Sequence, residues 1–298
     1  MGKVYLIGAG PGDPDLLTVK AARLLERATI VLHDSLVSRE VLQLIPPTAE
    51  IIDVGKRCGQ KLLTQEEINQ LLIFHARSGR SLDRSAGKSP DWSPGRSPNV
   101  APTSKSTSHD EVIRLKGGDP LVFGRAGEEI EALRRAQIDF EIVPGITAAL
   151  GAAASAGISL TDRRAASQIV ITTYSRGSDP AASDPFAVTP PLDWATISSS
   201  STLVLYMPAA GYAEVARRLR AAGQPEDLPC VIVSNATTPK QQIRWTTVGN
   251  LAGEAKLPAP ALLIVGRVAT HQIQEITAAA KHWRGEPIAR EPKQRTVS

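Results

Sequence analysis

The stretch Arg114-Leu-Lys-Gly-Gly-Asp-Pro-Leu-Val-Phe-Gly-Arg125 sets paired glycines, a carboxylate and several cations directly after a β-branched run. Paired glycines let a ligand lie close to backbone and permit unusual dihedrals. A carboxylate there can accept from hydroxyls or an amino group, and guanidinium and ammonium groups can pair with acidic substituents. Four other turns are built alike: Gly8-Ala-Gly-Pro-Gly-Asp-Pro14, His33-Asp-Ser-Leu-Val-Ser38, Val54-Gly-Lys-Arg-Cys-Gly59 and Val143-Pro-Gly-Ile-Thr-Ala148. Each follows a short β-branched run, so each is a turn at the carboxyl end of a predicted strand. Ligands of open α/β sheets bind outside that edge. Five such turns on one edge describe an enzyme's site for something large and polyanionic.

The elements that must carry these turns alternate. Strands are predicted at Val4–Gly8, Ile30–His33, Ile51–Val54, Val112–Leu115 and Phe140–Val143. Between them fall helices from about Leu16 to Arg27, from the capping box Thr64-Gln-Glu-Glu67 to about Arg77, and over Glu128–Ala136. This is a parallel, doubly wound pattern, assigned to residues 1–143. Residues 144–270 read as a second α/β domain with a mixed sheet. It holds an Ala-rich helix (Thr147–Ala156), strands at Ile169–Thr173, Thr202–Tyr206, Val231–Ser234, Ile243–Thr247 and Leu262–Val265, and a helix at Tyr212–Ala222. Residues 81–108 carry eight Ser and four Pro with few apolar side chains, a surface insertion expected to be disordered. Residues 271–298 form a basic, polar tail.

Composition excludes several classes. The net charge of +4 is accounted for by the insertion (four basic, two acidic) and residues 281–298 (five basic, two acidic), so no basic groove is implied. With 4% aromatics there is little on which to stack bases, and nucleic-acid binding is not expected. Cys58 and Cys230 stand alone, without metal-ligand spacing, so neither a metal site nor a disulfide framework is expected. No apolar run reaches membrane-spanning length, and the chain enters a strand at Val4 without room for a signal peptide. A cytoplasmic protein fits.

Gly8-Ala-Gly-Pro-Gly12 is close to a dinucleotide fingerprint, with Asp34 about where a ribose-binding acid would fall. The glycine spacing differs, and Pro11 removes an N–H that would cradle a pyrophosphate. The loop instead suits a rigid floor beneath a flat ligand. An Asp34–Lys56 pair on strand ends is, by itself, as readily a structural ion pair as a catalytic one.

Taken together, the turns over Gly8–Pro14, Val54–Gly59, Thr64–Asn69, Arg114–Arg125 and Pro144–Ala148 resemble the tetrapyrrole methylase family, from about Val4 to Val268 apart from the insertion. The resemblance implies two α/β domains with the active site in the cleft between them, S-adenosylmethionine as methyl donor and no metal. It implies C-methylation of uroporphyrinogen III at ring carbons 2 and 7, through precorrin-1 to precorrin-2, towards sirohaem or cobalamin, by a homodimer. Cofactor contacts then fall on Pro11, Gly117, Gly118, Asp119, Val122, Thr147, Ala148, Met207 and, in place of a glycine, Ala236. Asp34 and Lys56 match the proton acceptor and donor. Because the substrate carries carboxylates, Arg57, Lys116, Arg125, Arg163 and Arg164 are candidate contacts to it. Three departures lie on the substrate side: Ser35 for an arginine, Thr161-Asp-Arg-Arg164 for Thr-His-Arg-Asp, and Thr172-Thr-Tyr174 for Thr-Gly-His. The rival readings are a methyltransferase of a later corrinoid, a nicotinamide-dependent oxidoreductase, and a non-catalytic S-adenosylmethionine or tetrapyrrole-binding protein.

Overall fold

The computed structural model describes residues 2–55, 63–78, 111–174, 193–198, 200–208 and 211–269. The chain divides into two compact units: Met1–Ser155 with Asn235–Gln241, and Ala156–Ser234 with Gln242–Ser298. They part after Ser155 rather than after Val143, and a later segment returns to the first unit. The insertion 81–108 and the tail 271–298 lie outside the described residues.

In the first unit β1 (Val4–Gly8), β2 (Ile30–His33), β3 (Glu50–Asp53), β4 (Val112–Lys116) and β5 (Phe140–Val143) form one sheet in the order β3-β2-β4-β1-β5. Every neighbouring pair is parallel. Side chains alternate between two apolar layers, as the strand period of two requires. Tyr5, Ile7, Val31, Ile113 and Leu115 pack with α1 (Val19–Leu25) and α2 (Arg39–Leu42). Val4, Leu6, Ile30, Leu32 and Val112 pack with α3 (Gln65–Ser78) and α4 (Ala126–Arg135). Each fully buried Leu or Ile contributes roughly 1.5–3 kcal/mol.

Local signals explain the helix ends. At α3 the capping box forms as expected: Glu67 N–H donates to Thr64 Oγ1 at 3.2 Å, and Thr64 N–H donates to Glu67 Oε2 at 2.5 Å. α1 starts later than Leu16 because Pro14–Leu16 makes a 3-10 turn and Thr18 caps the helix, accepting from Ala21 N–H. The four-residue α2, unforeseen in the sequence, is capped by Ser38.

The second unit holds β6 (Gln168–Thr173), β7 (Ser201–Tyr206), β8 (Pro229–Ser234), β9 (Gln242–Thr247) and β10 (Ala261–Val265), ordered β6-β7-β10-β8-β9. β6 and β7 are parallel and the other pairs antiparallel, the mixed sheet expected. The Ala-rich helix α5 (Ala148–Ser155) belongs to the first unit. In the second, α6 (Tyr212–Ala221) buries Tyr212, Val215, Ala216 and Leu219 against one face of the sheet.

Candidate active site

Strand order reverses between β4 and β1: from β1 the chain crosses to β2 on one side, and from β4 to β5 on the other. The turns after β1 and β4 therefore diverge at a topological switch point, where such sheets bind ligands. Gly10 and Gly118 form an antiparallel bridge, their N–H groups each donating to the other's carbonyl at 3.1 and 2.8 Å. Ala9 N–H donates to Lys116 O at 2.7 Å. The turn after β5 joins them: a Cβ on Gly8 would stand 2.6 Å from both Gly118 O and Gly145 Cα. Three strand ends thus meet backbone to backbone, at a distance only glycine allows. Asp119 locks the arrangement, its Oδ2 accepting from Gly145 N–H at 2.9 Å and its Oδ1 from Leu121 N–H at 2.8 Å.

The neighbouring pieces are held as firmly. Pro11 lies against α5, where a Cβ on Gly151 would come within 2.6 Å of the proline ring. Thr147, whose carbonyl accepts from Leu150 N–H at 3.0 Å, opens that helix. Asn235–Gln241 returns to the Gly12 turn, with Thr237 Oγ1 accepting from Asp13 N–H at 3.2 Å and Ala236 buried. Gly118 has φ +68, and Phe123, Arg125, Asn235 and Thr237 hold positive φ without being glycine. Such outliers persist only where their surroundings over-determine them, and they cluster at functional sites.

Beneath this floor runs a chain of buried charges. Arg114 and Lys116 lie on the β4 face that meets α3 and α4, and are 2% and 1% exposed. Glu129 of α4, 0% exposed, accepts from Arg114 Nε at 2.9 Å and from Lys116 Nζ at 2.9 and 3.0 Å. Gln65 Nε2 of α3 reaches Glu129 at 3.4 Å and Asn69 at 3.2 Å. Arg114 Nη2 pairs with Asp34 Oδ1, just past β2, and its Nη1 donates to Leu115 O at 3.3 Å. Burial alone would push the guanidinium down, but the charges of Asp34 and Glu129 outweigh it and hold it above its ordinary value. Lys116 is pushed below its ordinary value by burial and by the Arg114 charge, against Glu129 and Asp34.

The family profile of the tetrapyrrole (corrin/porphyrin) methylases matches residues 3–82 and 99–252, passing over a stretch inside the predicted insertion. The chain belongs to that family. It is 45% identical over 273 residues to a uroporphyrinogen-III C-methyltransferase of Paracoccus denitrificans, covering 90% of this chain and 82% of the relative. To a siroheme synthase of Methylobacillus flagellatus it is 42% identical, again across 90% of its own length but only 50% of that longer protein. A crystal structure of the uroporphyrin-III C-methyl transferase of Thermus thermophilus complexed with S-adenosyl homocysteine superposes with a TM-score of 0.67 at 34% identity, covering 90% of this chain and 99% of that one.

In this methylase the first unit holds Pro11, Asp34, Gly117, Gly118, Asp119, Val122, Thr147, Ala148 and Ala236. Met207 belongs to the second unit, exposed and with φ 54. Lys56 and Arg57 lie outside the described residues. Lys116, expected among the substrate cations, is instead buried on Glu129, because β4 is a central strand covered on both faces. Arg125 makes two 2.7 Å bonds to Glu128, and Arg164 pairs with Asp162 at 2.9 and 3.1 Å. Arg163 is exposed. Of the departures, Ser35 abuts Gly55, and the Tyr174 ring fills the space a side chain at Gly211 would need. Sequence reading missed the roles of Arg114 and Glu129. The signal was there: two cations spaced by two in a strand of an otherwise apolar, doubly covered sheet require a buried anion.

Among the described residues, no group of three or more His, Cys, Asp or Glu could hold a metal ion, and no helix is long and apolar enough to cross a membrane.

Proposed function

We propose that this chain transfers methyl groups from S-adenosylmethionine to ring carbons 2 and 7 of uroporphyrinogen III, yielding precorrin-2 by way of precorrin-1. The observation that carries the reading is the glycine floor at the switch point, in a chain whose relatives include uroporphyrinogen-III C-methyltransferases. The floor fits the cofactor: at Gly118 a side chain would meet nothing closer than 3.6 Å, so the turn presents open backbone to a ligand. Pro11, Gly117, Gly118, Val122, Thr147, Ala148 and Ala236 would hold it, and Met207 is the remaining residue assigned to the cofactor. Asp119 serves the floor as a clamp and keeps lone pairs for a ligand hydroxyl or amine.

When bound, the sulfonium supplies an activated methyl group. The chain's share is alignment and proton removal. A nearly in-line pyrrole carbon is an adequate nucleophile once held in place, and a proton must then leave the macrocycle. Asp34 suits that task. Arg114 holds one of its oxygens, and the described residues place no donor on the other. Lys56 is assigned as proton donor, and Arg57, Arg125, Arg163 and Arg164 as partners of the substrate carboxylates. A cytoplasmic homodimer completes the reading.

Incubating pure protein with S-adenosylmethionine and enzymatically made uroporphyrinogen III should add two methyl groups by mass, without added metal. No gain, together with methylation of a later corrinoid, would move the assignment there. Asp34→Asn keeps size and polarity but removes the basic carboxylate. Turnover should fall roughly 10²-fold or more, as for a lost general base, with cofactor affinity within about twofold by calorimetry. A large loss of cofactor binding would instead make Asp34 a ribose ligand.

A further inference from the structure

Glu129 stands too deep to touch a ligand, yet it organises the group that would. Its carboxylate takes Arg114 Nε and Lys116 Nζ, so the guanidinium is pinned at three points: Glu129 through Nε, the Leu115 carbonyl through Nη1 and Asp34 through Nη2. A guanidinium is planar, and three acceptors around its rim leave it no rotation. We propose that Glu129 is a positioning residue for methyl transfer: through Arg114 it sets the direction of the Asp34 carboxylate, and Lys116 is its second cationic partner in the core. The proposal rests on the reading of Asp34 as the proton acceptor.

The energetics argue against the arrangement serving the fold alone. Buried ion pairs are costly to desolvate, and apolar side chains of similar volume often match or exceed their stabilisation. Here Lys116, Gln65 and Arg114 all bond Glu129, and Arg114 alone carries the chain on to one partly exposed carboxylate at the carboxyl edge of the sheet. Asp34, the terminal member, is 24% exposed, whereas Arg114, Lys116 and Glu129 are sealed. The backbone anchors the same point, since Asp34 N–H donates to Leu115 O at 3.1 Å, the carbonyl that Arg114 Nη1 also uses. Backbone and side chain of Asp34 are therefore both referred to β4, and α4 determines where the side-chain anchor lies.

The test separates position from stability. Glu129→Leu combined with Lys116→Met removes one buried anion and one buried cation, leaving the Arg114–Asp34 pair balanced in an apolar setting. This variant is expected to melt at or above the wild-type temperature, to bind S-adenosylhomocysteine within about twofold, and to lose turnover by about tenfold or more, since small misplacements of a reacting group are that costly. A folded double variant with wild-type turnover would overturn the proposal. Should the double variant fail to fold, Glu129→Asp, which keeps the charge but withdraws the carboxylate by one carbon, is read in its place against the same two outcomes. A cycle with Asp34→Asn then tells local action from a general defect. If Glu129 acts through Asp34, the Glu129 change costs nothing further in a chain already carrying Asp34→Asn. Additive losses would mean that it acts elsewhere. Full turnover in Asp34→Asn alone would sink the reading of Asp34 itself, a result distinct from either outcome at Glu129.

Discussion

The two sheets of this chain have five strands each, but they treat charge in opposite ways. In the parallel sheet β4 is central and covered on both faces, yet it carries Arg114 and Lys116 in its interior, sealed with Glu129. In the mixed sheet the central strand β10 reads Ala-Leu-Leu-Ile-Val and is wholly buried without a charge. There the ion pairs sit at the surface, as where Glu214 bridges Arg217 and Arg218 on α6. The backbone follows the same division. Gly8, Gly118 and Gly145 touch one another in the first unit, whereas a side chain at Gly223 of the second would meet nothing within 4 Å. Buried charge and glycines packed against one another's backbone coincide at one edge of the first sheet, which is what a site demands.

The largest effect should come from crowding that edge. Gly8→Ala sets a methyl group 2.6 Å from backbone atoms of two other turns, which cannot move independently. We expect a loss of roughly 3 kcal/mol or more in stability, as for severe overpacking, and no measurable cofactor binding by calorimetry. A variant that folds and binds normally would show the three turns to be looser than their geometry implies.

Two left-handed glycines sharpen the contrast further. Gly118 (φ +68) and Gly223 (φ +79) make the same backbone demand. Valine at position 118 should cost about 1–3 kcal/mol through strain and abolish S-adenosylmethionine binding. Alanine at position 223, in the C-terminal cap of α6, should cost about 1 kcal/mol and leave turnover per folded molecule unchanged. Equal functional losses at both positions would erase the distinction between the two units.

The smallest effect belongs to the surface pairs. Bonds from Arg217 and then Arg218 hold the Glu214 carboxyl at about 2 against an ordinary 4.5. A depressed carboxyl stabilises the fold above its unfolded value, so the contribution is complete above about pH 5 and fades as pH falls from 4.5 towards 2. Arg217 is exposed and Glu214 and Arg218 are only half-buried, so solvent screens these salt bridges. Glu214→Gln should lower the melting temperature only slightly at pH 7, less in high salt, and the difference should vanish near pH 2. A large, salt-insensitive drop would mean that the second unit also depends on organised charge.

The turns, the strand and helix types, the parallel character of the first sheet and the capping of α3 are all legible in the chain. Each depends on neighbours within a few residues: alternation marks strands, Thr64 and Glu67 mark a helix start, and glycine after a β-branched run marks a strand end. Those signals suffice to place Asp34 and Gly117-Gly118 on the carboxyl edge. Other features depend on strand order, which no local pattern records. Only the β3-β2-β4-β1-β5 arrangement puts Arg114 beside Asp34, 80 residues away, and sets α4 where Glu129 reaches Arg114 and Lys116. The same order turns Lys116 from an expected substrate contact into a buried partner of Glu129. Likewise the return of Asn235–Gln241 to the Gly12 turn is a contact across 224 residues, made by Thr237 with Asp13. Sequence determined which residues stand at strand ends; tertiary packing decided which charges are buried together, because a buried charge needs a partner in space.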